Sequence, residues 1–135
     1  MRLSNTLLIF LSLTVIACHN GTNAADLAVA NRVSGATVRV RSLSGRFDAE
    51  LLEIRQDGIV LLQQNGRVAI APWKVTKMVS VVGLGRDYTY GLLMPPSRQV
   101  FANLTKVSHF PQGMTPDIER RFLASRGQTE LEVIQ

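Results

Sequence analysis

The chain has 135 residues, 46% of them apolar and 19% charged, a balance that excludes intrinsic disorder. Its formal charge is +5, with arginine well ahead of lysine and the basic residues spread along the chain, so no basic cluster marks a nucleic-acid footprint. The single cysteine, Cys18, excludes an internal disulfide framework.

In chain order, Arg2 precedes an apolar run from Leu7 to Ile16. A helix needs about 20 residues to span a bilayer core, so this run is too short to cross and suits the apolar region of an export signal. Val15, Ile16, Ala17 and Cys18 follow. This stretch resembles the lipobox of bacterial lipoproteins: an aliphatic residue, a tolerant position, a small residue and then cysteine. The resemblance implies a signal over 1–17 cut after Ala17, with the Cys18 thiol carrying diacylglycerol and the new amino group a fatty acid such as palmitate. An ordinary signal cut further on, for example after Ala24, is the alternative. His19 stands where aspartate commonly retains lipoproteins in the inner membrane, which leans toward the outer membrane of a two-membrane host. Without the leader's Arg2, 14 basic residues face 10 acidic ones, a modest +4.

Residues 18–34 are small and polar, as a tether between an anchor and a folded domain would be, with a short helix expected over Ala25 to Arg32. From Gly35 the pattern turns to strands. Val38 and Val40 alternate with Arg39 and Arg41, the period of a half-buried strand. Phe47, Ala49 and Leu51 alternate with Asp48 and Glu50, and then Leu52 and Ile54 take over the apolar parity. That slip predicts a β-bulge or a sharp bend. Asp57-Gly58 and Asn65-Gly66 are hairpin signals on either side of the continuous apolar run Ile59 to Leu62. Val68 and Ile70 make a fourth strand, ended by Pro72-Trp73, and Met78 to Val82 a fifth, entered through Val75.

Five short strands joined by tight turns predict a small barrel over 35–83. The stretch resembles the Sm-like and SH3-like barrels at Gly35, Val38, Val40, Gly45, Phe47, Leu51, Ile54, Asp57-Gly58, Ile59, Leu61 and the closing Val75, Met78 and Val79. It looks most like the small barrels of uncharacterised bacterial envelope lipoproteins. It departs from the RNA-binding Sm pattern, with Ala49 and Glu50 where a glycine is usual and APWKVTK over 71–77 in place of a basic RNA-contacting motif. No nucleic-acid partner is expected.

The last third, 84–135, reads as a loop and helical extension. Gly83 to Pro96 is glycine-punctuated and loop-like, and its Gly-Leu-Gly lacks a dinucleotide fingerprint. Val100, Phe101, Leu104 and Val107 recur at helical spacing within 97–109. Thr115-Pro116-Asp117 is a helix start, with Ile118, Phe122 and Leu123 as its buried stripe and Gly127 as its stop. ELEVIQ over 130–135 alternates and would add a strand at a barrel edge. The expected class is therefore mainly β with α: a small five-stranded SH3-like or Sm-like barrel followed by two short C-terminal helices.

Few residues carry chemistry. His109, beside a helix end, reads as a cap in preference to a metal ligand. Asp48 and Glu50 share a strand face and read as solvated. No catalytic residue, metal or cofactor is expected. Trp73, Tyr88 and Tyr90 would line a recognition surface for extended peptides, with closure of the barrel core by Trp73 as the favoured alternative. The expectation is an exported, lipid-anchored envelope protein that is not an enzyme and binds another envelope protein. Binding of cell wall or polysaccharide is the second reading, and an unrecognised hydrolase the third.

Overall fold

The structure is a computed structural model that describes residues 34–82, 88–91 and 94–135. The leader, Ala17, Cys18 and the tether to residue 33 lie outside the described residues. The remainder is mainly β, with an open mixed sheet followed by two helices.

The strands are β1 (Thr37–Ser42), β2 (Arg46–Ile54), β3 (Gly58–Gln63), β4 (Val68–Pro72), β5 (Thr76–Val81), β6 (Tyr88–Gly91) and β7 (Glu132–Val133). They form one seven-stranded sheet in the order β6-β5-β1-β2-β3-β4-β7. Consecutive strands from β1 to β4 pair antiparallel, β5 returns to the free side of β1, and β6 pairs with β5. The expected five strands are therefore seven, and the sheet is not closed. A 3-10 turn over Trp73–Val75 carries the chain from β4 to β5 on the free side of β1. Two further strands make up the difference in number. The glycine-punctuated segment read as loop supplies β6, because backbone pairing to β5 requires no apolar pattern. The alternating C-terminal residues supply β7, which pairs parallel to β4.

The parity slip in β2 is a bulge. Its register with β3 shifts between Leu51 and Glu53. Ala49, Leu51 and Ile54 then face one cluster, with Val38, Val40, Ile59, Leu61, Trp73, Val79 and Val81. Leu52 faces a second, with Val60, Val68 and Leu123. The carbonyls around the bulge bond the segment after the first helix: His109 N–H donates to Leu51 O at 2.9 Å and Phe110 N–H to Leu52 O at 2.8 Å. Gly35 fits this seam because a Cβ there would lie 2.0 Å from Leu51 O. Gly58 is needed for a similar reason: a Cβ would stand 2.5 Å from the Ala71 carbonyl of β4.

Helix α1 (Arg98–Lys106) is capped by Ser97, whose hydroxyl accepts from Val100 N–H at 3.4 Å. It presses Leu104 into the first cluster, as does Val107 just beyond it, with Val100 and Phe101 half-buried. It is shorter than expected, because Val107 closes it and the chain then follows the bulge. Helix α2 (Pro116–Ala124) starts at Thr115, which accepts from Ile118 N–H at 3.3 Å. Gly127 ends its last turn at φ 67°, and Gln128 N–H reaches back to Leu123 O. Leu123 is buried and Phe122 half-buried, but Ile118 is exposed, so the stripe is narrower than expected.

Candidate functional site

Of the residues singled out from sequence, Trp73, Tyr88, Tyr90, Asp48, Glu50 and His109 lie among the described residues. Trp73 is 2% exposed, within the first cluster, and its indole N–H donates to Arg55 O at 3.0 Å. Tyr88 and Tyr90 sit on β6 opposite Val81 and Val79 of β5. Asp48 is ion-paired to Arg39 at 2.8 Å. The Arg39 guanidinium bonded to it, reinforced by its charge and that of Arg46, holds the Asp48 carboxyl below the usual carboxylate range.

Glu50 is not merely solvated, and His109 caps no helix carbonyl. Glu50 Oε1 accepts from Gly35 N–H at 2.8 Å and lies 2.7 Å from His109 Nδ1. A carboxylate cannot donate, so Nδ1 carries the proton. The imidazole stacks on Phe110, with centroids 4.3 Å apart, and meets the edge of Phe122. Glu50 and His109 thereby tie the start of the sheet to the segment following α1. Sequence separation of 59 residues hid this pair.

A second polar cluster lies where β2 meets α2. Glu53, 8% exposed, accepts from Arg55 Nε at 2.8 Å and from Met114 N–H at 3.1 Å. Arg55 also bonds Glu119 on α2. Burial works against the Arg55 charge, but the two bonded carboxylates outweigh it and raise the guanidinium pKa. This triad lines a cleft of about 640 Å³ with Phe101, Met114 and Arg120. Its carboxylates are already engaged by Arg55, so the triad acts chiefly as a clasp between β2 and α2.

The apolar cleft is the better recognition feature. It measures about 490 Å³ and is lined by Ile70, Pro72, Trp73, Met94, Pro95 and Val133, with Gln56, Asp57 and Lys74 at its polar edge. Buried Trp73 supplies its wall, whereas Met94 and Val133 remain 69% and 65% exposed. Sequence reasoning found Trp73 but missed Met94 and Val133, which come together only once β7 docks on β4.

Among the described residues, no group of three His, Cys, Asp or Glu side chains is arranged to hold a metal ion, and no helix is long and apolar enough to cross a membrane. No protein-family model, curated protein or solved structure matches the chain.

Proposed function

We propose that this chain is a lipid-anchored, non-catalytic binding protein of a bacterial envelope, whose cleft beside Trp73 receives an apolar segment of a partner protein. The cleft carries the reading: two large apolar side chains, Met94 and Val133, stay open to solvent around a wall closed by Trp73 and Pro72. Exposed apolar surface joined to a shaped concavity is the usual mark of an interaction site. The VIAC sequence ending at Cys18 supports the anchor.

The same proposal takes the sheet as an SH3-like barrel with added edge strands. Its support is the bulged β2, which pairs with both β1 and β3, and the short 3-10 turn that returns β5 to β1. The Ser42 hydroxyl also donates to Gln135 O at 3.4 Å, bringing the C-terminal residues to the end of β1. A stacked polysaccharide is less well supported, because the Trp73 ring is buried and its N–H is committed to Arg55.

A photo-crosslinking residue at Met94 or Val133, activated in intact envelopes, tests the cleft. Discrete protein adducts from these positions and none from exposed Ser125 are expected; no adduct from either position overturns the reading. The anchor is tested by Cys18→Ala, which is expected to leave the washed membrane fraction.

A further inference from the structure

We infer that the tip of the β1–β2 hairpin is a membrane-docking element, which seats Leu43 in the interfacial region of an anionic lipid surface. The inference rests on the envelope reading above and adds the surface on which the domain lies.

Leu43 is the starting observation. It is 57% exposed at the turn between β1 and β2. The turn is also well fixed. Ser42 N–H donates to Gly45 O at 2.7 Å, Leu43 N–H to Val75 O at 2.9 Å and Ser44 N–H to the Ser42 hydroxyl at 3.2 Å. A large apolar side chain is therefore held out into solvent by a bonded scaffold.

The charged side chains that flank the turn directly are both basic, and the Gln135 oxygen lies 3.4 Å from the Ser42 hydroxyl at its start. Arg41 and Arg46 flank the turn and stand directly opposite each other in the β1–β2 ladder. Both are exposed, and neither has an ion-pair partner among the described residues. Like charges at facing positions destabilise a sheet unless an anion lies between them. Asp48, the nearest carboxylate along β2, acts on Arg46 only through space and is bonded to Arg39. Exposed Lys74 belongs to the 3-10 turn that bonds Leu43, and exposed Lys77 follows Thr76, the register partner of Ser42.

An apolar tip within a basic rim matches the layering of a lipid interface, with acyl chains beneath and phosphates at the level of the cations. An acidic protein surface would satisfy the cations and leave Leu43 without a function. The segment from Cys18 to Gly35 spans at most ~60 Å, so an anchored chain can bring the hairpin to the surface. Lys74 also edges the apolar cleft, which would then open beside the bilayer toward partners held there.

The test uses full-chain protein extracted from envelopes and reconstituted into vesicles of phosphatidylcholine alone or with phosphatidylglycerol. An environment-sensitive dye is placed on Leu43→Cys and, separately, on Ser125→Cys. A blue shift and quenching by nitroxide lipids are expected at position 43 with phosphatidylglycerol, while position 125 stays aqueous. The shift should fall on the order of tenfold in Arg41→Gln/Arg46→Gln and at high salt. These substitutions are solvent-exposed, and circular dichroism checks that the variants fold. An aqueous position 43 in floated anionic vesicles overturns the inference. So does an equal shift in phosphatidylcholine alone, or a shift that requires added envelope protein. Flotation of the unlabelled protein with phosphatidylcholine reports the anchor separately, so its failure and that of hairpin docking are distinguishable.

Discussion

In β1, Val38 and Val40 are buried while Arg41 is exposed; in β3, Ile59, Val60 and Leu61 are all buried. The two strands are neighbours of β2 on opposite sides, yet one has a single covered face and the other has two. The difference comes from the C-terminal third. Leu123 of α2, with Phe110, Met114, Phe122 and Leu131, covers the back of β3 and β4. Nothing comparable covers the outer face of β1 among the described residues, where exposed Arg41 stands opposite exposed Arg46 of β2. One sheet thus has a half packed on both sides, from which the clasp and cleft are built, and a half that presents charge.

The comparison predicts where stability resides. Trp73→Ala should have the largest effect, about 3–5 kcal/mol, because it empties the shared core and leaves Arg55 O without its indole donor. Urea denaturation followed by circular dichroism measures it. Leu123→Ala should cost about 2–4 kcal/mol through loss of the second layer. The bulge, with Leu51 in one cluster and Leu52 in the other, joins the layers, so both variants should unfold in one transition. In Leu123→Ala, helical signal melting before Trp73 fluorescence would break that claim and make α2 a separate cover.

Gln128 offers a smaller and sharper test. Its buried side-chain amide accepts from Val68 N–H at 2.7 Å and donates to Val68 O at 3.0 Å, acting as one residue of an edge strand where β7 has not yet begun. Gln128→Ala leaves both groups without these bonds and should cost about 1–3 kcal/mol. Hydrogen exchange at the Val68 amide should accelerate more than exchange at Val40. Equal acceleration at both would mean that the substitution destabilises the sheet globally and does not open its β4 edge.

Legibility in the sequence followed the same division. The alternation of β1 and the cap at Thr115 are local signals, and the structure has them in place. The continuous run Ile59 to Leu62 read as a strand, but nothing local showed what covers its two faces. The slip at Leu52 announced a bulge but not that His109 and Phe110 bond its carbonyls. Glu50–His109, Glu53–Arg55–Glu119 and Gln128–Val68 join residues about 60 positions apart, a range that periodicity does not reach. The candidate site shows the same limit: Trp73 stood out as the only tryptophan, but its neighbours Met94 and Val133 did not.

The smallest predicted effect belongs to the open half. Arg39 holds the Asp48 carboxyl below its ordinary value near 3.8. A carboxyl depressed in the folded chain binds its proton more weakly there than in the unfolded chain. Its contribution is therefore complete above about pH 4 and fades as the pH falls through the unfolded and then the folded value. The pair is about 30% exposed on each side, so screening keeps the contribution below about 1 kcal/mol. In acid titrations of stability, Asp48→Asn should flatten the slope below pH 4 slightly, Arg39→Gln should do the same, and the double variant should add little. Additive losses would show that the two side chains act separately. The ladder position of Arg39 opposite Asp48 would then reflect register and not a coupled pair.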